Sequence, residues 1–296
     1  MGRLSAEDWE HVVDRDLLPI LGIGIGRQPQ RAQCPADSAW LLDGAYEDLS
    51  AGVGRLGVED ILAVQPAAWM VDWLRYRYLY MPLQIAGIGE RAVGLWVRAL
   101  PAPGVRLQVP VSGIAAIESL ADGPRRLLVV TGQAARLAVR YSRDGDASVG
   151  AWTRRVRVRA AGQPSPVPAV PSARHGKGLE ELLLGPADCG VCVRWRSCSG
   201  RGGCLLALTS RELVIVRSWR APGRPWCRVR RTLYVPRRSI EGVASRSRSV
   251  CLNSAGTQVC IGLGSRRIAS AASAWLGQVL AEPDPRDADA RPRQAG

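Results

Sequence analysis

The sequence predicts a mainly β protein with α structure. It reads as two tandem seven-stranded barrels or sandwiches, each closed by a C-terminal helix, after a short, partly helical N-terminal segment. Three observations carry this prediction: an internal repeat, a succession of short apolar runs separated by turn residues, and a switch to helical period at the end of each copy.

The repeat is found by laying Leu74-Arg-Tyr-Arg77 on Val193-Arg-Trp-Arg196. Arg91 then follows Arg77 by fourteen residues, and Arg211 follows Arg196 by fifteen; each opens an apolar stretch. Val109-Pro110 and Val235-Pro236 are each followed, four residues after the proline, by Ile114 or Ile240, and three residues later by Ile117 or Val243. An apolar hairpin comes next in both copies, and each unit closes on Ala-Trp, at Ala151-Trp152 and Ala274-Trp275. Landmarks that keep their order and spacing this far mark duplication of one supersecondary unit.

In the first copy the strands are expected at 73–80, 83–88, 92–99, 105–111, 114–119, 127–130 and 136–141. Pro101-Ala-Pro-Gly104, Asp122-Gly-Pro124 and Thr131-Gly-Gln133 supply the turns between them. With no Phe in the chain, the core falls to Val, Leu, Ile and Ala with Trp as the large filler, which favours strands where branched residues cluster. The ending is different in period. Ile268, Ala271, Ala272, Trp275, Leu276, Val279 and Leu280 form an apolar helical stripe with Trp275 at its middle, and Val149, Trp152 and Val156 form a shorter one.

These features divide the chain into an acidic, partly helical segment (1–60), a first unit (61–159), a proline-rich linker (160–188), a strongly basic second unit (189–281) and a polar tail (282–296). In the first segment Ser5 is placed to cap a helix through Trp9, Val12, Val13 and Leu17. The linker core, Gly162-Gln-Pro-Ser-Pro-Val-Pro-Ala-Val-Pro-Ser172, is expected to be extended, and the tail disordered.

Seven short antiparallel strands and a helix with a mid-helix tryptophan resemble the pleckstrin-homology (PH) fold. Leu206-Ala-Leu-Thr-Ser-Arg-Glu-Leu-Val-Ile-Val216 and Tyr234-Val-Pro-Arg-Arg-Ser-Ile-Glu-Gly-Val243 resemble bacterial PH-like domains in particular. The resemblance covers about residues 73–157 and 190–281. It implies tandem PH-like domains acting as interaction modules, a group with no common ligand. The first copy departs from it in reading Gly89-Glu-Arg91 where the second has Thr209-Ser-Arg211.

Charge separates the copies further. Residues 1–60 carry a net −6, residues 61–159 +8, and residues 189–280 +14, with 16 arginines against only Glu212 and Glu241. A basic block of this density attracts polyanions, anionic lipid or an acidic protein surface. Lys177 is the only lysine, a bias that a GC-rich coding sequence produces as readily as selection for guanidinium chemistry does. No run of 18 apolar residues suggests a spanning helix, and carboxylates interrupt the N-terminus where a secretory signal would be apolar. The expected location is the cytoplasm, at the inner face of the membrane if the anion partner is lipid. In that reducing compartment the eight cysteines are expected as free thiols.

No catalytic constellation emerges. His11 and His175, the only histidines, fall in the N-terminal segment and the linker. Gly22-Ile-Gly-Ile-Gly26 lacks the following apolar helix of a dinucleotide fingerprint, and Gly176-Lys-Gly178 lacks the rest of a phosphate loop. Cys189, Cys192, Cys198 and Cys204 lack the paired spacing of a zinc site, so neither metal nor cofactor is expected. What remains is arginine. Arg194, Arg196 and Arg201 on the first strand and hairpin of the second copy, Arg217 and Arg220 on the next, and Arg246 and Arg248 in the Ser-Arg-Ser-Arg-Ser connection are the candidate anion or partner contacts, with Arg224, Arg228, Arg230 and Arg231 also expected to fringe the second of these hairpins. The expected function is a non-catalytic interaction or scaffold protein that binds another protein. The alternative is a peripheral binder of anionic lipid or phosphorylated headgroups through the second copy. Nucleic acid ranks third, because the basic block lacks an aromatic stacking platform.

Overall fold

Strands rich in branched residues, joined by short turns, produce a mainly β chain with helices at the ends of its units. The computed structural model describes residues 36–64, 83–98, 105–123, 125–162, 183–184, 189–196, 202–221 and 224–281. Contacts divide the chain after Ala160 into two units, with Ala115–Ile117 counted in the second.

The first unit opens with helix α1 (Ala36–Val53) and a 3₁₀ turn (Val58–Asp60). Strands β1 (Ile61–Val64), β2 (Leu83–Ile88), β3 (Ala92–Arg98) and β4 (Val105–Pro110) then form an antiparallel sheet in chain order. A second 3₁₀ turn (Val111–Gly113) leads to β5 (Ile114–Asp122), β6 (Arg125–Gly132), β7 (Arg136–Ser142) and helix α2 (Asp146–Ala161). β4 lies against β6 and β7, so the two groups of strands face one another. Between them Leu62, Ile88, Val93, Leu95, Val109, Leu128, Val130 and Leu137 are buried, with Val149, Trp152 and Val156 of α2.

The other face of the β1–β4 sheet is covered by α1. Ala45, Tyr46, Leu49 and Val53 pack with Leu56, Ile61, Ile85, Ala92 and Trp96 in one apolar cluster. Small residues make room: a Cβ on Gly94 would lie 2.6 Å from Val53 Cγ1, and one on Gly89 only 2.1 Å from the Val53 carbonyl oxygen. The helix ends at Gly54, whose φ of +94° is a conformation glycine adopts without strain. Composition sets 1–60 apart, yet its second half supplies core to the first unit.

The second unit repeats the plan. β8 (Cys189–Arg196), β9 (Gly202–Thr209), β10 (Glu212–Ala221) and β11 (Arg224–Pro236) are hydrogen-bonded in chain order. A 3₁₀ turn (Arg237–Ser239) leads to the sheet of β12 (Ile240–Arg246), β13 (Ser249–Ser254) and β14 (Thr257–Gly262), and helix α3 (Arg266–Ala281) closes the unit. Its core joins Leu206, Leu208, Leu213, Ile215, Leu233, Val235, Val250, Leu252 and Ile261 to Ala272, Leu276 and Val279 of α3. The repeat extends to single hydrogen bonds. Val111 N–H donates to Arg91 O at 2.9 Å, and Arg237 N–H donates to Arg211 O at 2.9 Å. Pro110 and Pro236 precede the matching 3₁₀ turns with φ of −54° and −57°, the value the pyrrolidine ring imposes.

Four expectations change. The strand paired with β2 is Ile61–Val64, with Ile61 opposite Gly87 and Val64 opposite Gln84; Ile61 and Leu62 win that place by burying completely. The stretch 73–80 lies outside the described residues, as do Ser5 and its helix, the two histidines, the glycine-rich loop, most of the linker and the tail. Among the described residues the sheets stay open rather than closing into barrels, with β1 and β4 as edges of one and β12 and β14 as edges of another. Trp275 is half-buried at the rim of its stripe, because Ala272 and Leu276, both fully buried, hold the centre. Finally, Cys251 and Cys260 are not free thiols. They stand directly opposite one another on β13 and β14, with Cα atoms 4.1 Å apart, and form a disulfide.

Candidate anion-binding face

Strand register gathers several arginines of the second unit at one end of its sheet. Along one cross-strand row lie Arg196, Gly203, Ser218 and Arg230, and along the next Trp195, Cys204, Arg217 and Arg231. One step closer to the hairpin tip, Arg220 stands opposite Arg228. Arg220, Arg228 and Arg230 are exposed. Side chains alternate between faces along a strand, so Arg220, Arg228 and Arg230 occupy the face opposite the apolar core that Ile215 and Leu233 enter.

Arg217 is held differently. It continues the core-facing row of Leu213 and Ile215, where the apolar interior runs out, and is half-buried. Its guanidinium lies 4.7 Å from the Trp219 ring centroid, within cation–π range. Its Nη1 donates to Gly262 O at 2.6 Å. A Cβ on Gly262 would come within 3.2 Å of that nitrogen, so the glycine leaves space for the guanidinium. Burial pulls its pKa below the ordinary arginine value and the neighbouring Arg231 adds to the fall, while Cys204 opposes it. Cys204 itself is buried beside Arg217, and burial pushes its thiol up to about 12 although the guanidinium lowers it. It is therefore a protonated, inert core thiol.

Gly262 stands opposite Ser249. Leu263 N–H donates to Arg248 O at 2.7 Å, so the Arg217 contact abuts the β12–β13 turn. Arg246 and Arg248 flank that turn, both exposed, around Ser247 with φ of +56°. Two carboxylates of the described residues in this unit lie elsewhere. Glu212 is buried opposite Pro236 at the far end of the β10–β11 pair, and Glu241 accepts from Gly256 N–H at 3.1 Å.

Of the sequence-derived candidates, Arg217 donates to Gly262, Arg246 stands opposite Ser249, Arg248 lies in the adjoining turn, and Arg220 stands on the β10–β11 pair. Arg196 occupies a β8 position in the first of the cross-strand rows, Arg194 stands opposite Leu205, one row further from the hairpin tip than Trp195, and Arg201 is outside the described residues. Arg228 and Arg230 share the face of Arg220, whereas Arg231 stands opposite Arg217 in the core-facing row. The sequence places these arginines around the hairpin, and alternation in Arg228-Val-Arg-Arg231 puts Arg228 and Arg230 on one face of the strand. Among the described residues no three His, Cys, Asp or Glu side chains gather as a metal site, and no helix is long and apolar enough to cross a membrane. No protein-family model matches the chain, and no curated protein matches it.

Proposed function

We propose that the chain is a non-catalytic interaction module of two PH-like units, the second of which binds an anionic partner surface through its arginine-bearing hairpin end. One observation carries the reading: Arg220 and Arg228, both exposed, face each other directly across β10 and β11, with exposed Arg230 on the same face. Like charges directly opposite on a sheet are destabilising, so such an array is retained at a cost that an anionic partner offsets. The four-plus-three strand plan with a closing helix supports the PH-like assignment of both units. The preferred partner is an acidic protein surface. The alternative, an anionic membrane or phosphorylated headgroup at the inner face of the cell membrane, draws on the same guanidinium chemistry.

The test is sedimentation of the full chain with phosphatidylserine vesicles, alongside retention on an acidic polypeptide column, each at two salt concentrations. Salt-sensitive binding that falls when Arg220, Arg228 and Arg230 are replaced by Ala supports the reading, and the surface that binds identifies the partner class. Equal binding by the triple variant, or binding indifferent to salt, removes it.

A further inference from the structure

The Cys251–Cys260 bridge sits where the fold does not call for one. Val250 and Leu252 point into the core, which puts Cys251 and its cross-strand partner on the opposite face of the β13–β14 pair. The strands are already registered by six opposed residue pairs, from Ser249 with Gly262 to Ser254 with Thr257. On the face away from the core, the corresponding pair in the first unit is Val129 opposite Ala138, so the same hairpin is built there without a bridge. The two cysteines also differ in access. Cys251 is 2% exposed, whereas Cys260 is open to solvent.

We propose that this pair is a reversible thiol–disulfide exchange site for a low-molecular-weight thiol, with Cys260 as the sulfur attacked and Cys251 as the sheltered resolving thiol. The incoming thiolate attacks Cys260 Sγ, and a new S–S bond forms as the Cys251–Cys260 bond breaks. The electron pair leaves on Cys251 Sγ, which takes a proton from solvent. From this mixed disulfide two routes are open. Cys251, deprotonated again, can attack Cys260 Sγ, expel the small thiolate and restore the bridge. Alternatively a second small thiolate attacks the small molecule's own sulfur and releases Cys260 as a thiolate. The second route leaves a protein dithiol and one small-molecule disulfide, so two small thiols have been oxidised and the bridge reduced by two electrons. Restricted access directs attack to Cys260, and the opposed strands keep Cys251 within reach for closure.

The experiment equilibrates the folded full chain in a series of glutathione and glutathione-disulfide mixtures, quenches with an alkylating reagent and digests with trypsin. Residues 249–266 form one tryptic peptide that holds Cys251 and Cys260 and no other cysteine, so its state is read apart from the remaining six. The proposal expects that peptide to pass from bridged to doubly alkylated as the mixture becomes more reducing, with the near-ultraviolet circular dichroism of the fold retained. It also expects Cys251→Ser to accumulate glutathione on Cys260, about tenfold more than Cys260→Ser accumulates on Cys251. A peptide that stays unbridged in the most oxidising mixture, or stays bridged until denaturant is added, overturns it. So does preferential glutathione addition to Cys251. The wild-type titration decides the matter even if a serine variant fails to fold.

Discussion

The two units share a frame and differ in what they do with their arginines. In the first, acidic residues from the segment before β1 are already engaged. Asp48 accepts from Trp96 Nε1 at 3.1 Å, and its backbone carbonyl accepts from Arg106 at 2.8 Å. Asp60 pairs with Arg159 at 2.9 Å and Glu59 with Arg155, while Arg159 also reaches the carbonyls of Ile88 and Gly89. In the second unit Arg217 donates to a carbonyl and lies over an aromatic ring, and Arg220, Arg228 and Arg230 face solvent. The first unit thus commits Arg106, Arg126, Arg155 and Arg159 to internal contacts, whereas the second exposes Arg220, Arg228 and Arg230. A carboxylate beside a guanidinium makes it structural; distance from any carboxylate makes it a candidate for binding.

The same contrast appears at the matching hairpin turns. In the second unit Thr209 closes the turn alone: its Oγ1 donates to Glu212 O and accepts from the Arg211 and Glu212 amides. Gly89 occupies that position in the first unit because the end of α1 lies on it, with Arg91 N–H donating to Val53 O at 3.1 Å. The departure of Gly89-Glu-Arg91 from Thr209-Ser-Arg211 is therefore the trace of a helix docked on one copy.

The largest effect should come from emptying the two cores. Leu49→Ala in α1 and Leu276→Ala in α3 remove fully buried side chains, and each should cost about 2–5 kcal/mol in denaturant unfolding. Trp275→Ala should cost less than Leu276→Ala; the reverse order would return the tryptophan to the centre of its stripe. Next comes the exchange of turn residues. Gly89→Thr, which copies the second unit, should destabilise by roughly 1–3 kcal/mol because its Cβ meets the Val53 carbonyl. A neutral result would mean that α1 does not press on this hairpin.

A pH difference sharpens the comparison. The Cys204 thiol is held up to about 12 by burial, so its folded form keeps a proton that the unfolded chain releases at lower pH. Its contribution to stability is full below the ordinary thiol range and is lost as pH rises from that range toward 12. Cys204→Ala should therefore flatten the alkaline decline in melting temperature, and an unchanged slope would refute the assignment. The smallest effect on stability should follow Arg220→Ala and Arg228→Ala, each within about 0.5 kcal/mol of wild type. Arg159→Ala in the first unit should cost more, since it leaves Asp60 and two carbonyls without that partner. Equal losses at Arg220 and Arg159 would erase the distinction between available and consumed arginines.

What the sequence determined by itself was local and periodic. Alternation located β2 and β3 to within a residue, β4 through β7 to within a few, and Val149, Trp152 and Val156 as a buried helical stripe, because side-chain direction follows from backbone geometry alone. Pro110 and Pro236 marked the same turn twice because a fixed φ acts wherever it is placed. Tertiary structure decided the rest: which strand lies beside β2, which face α1 covers, which cysteines meet, and which arginines find a carboxylate. These depend on positions far apart in the chain, such as Asp60 and Arg159, whose separation a charge sum does not contain. Electrostatic energy depends on distance, and only the folded chain sets that distance.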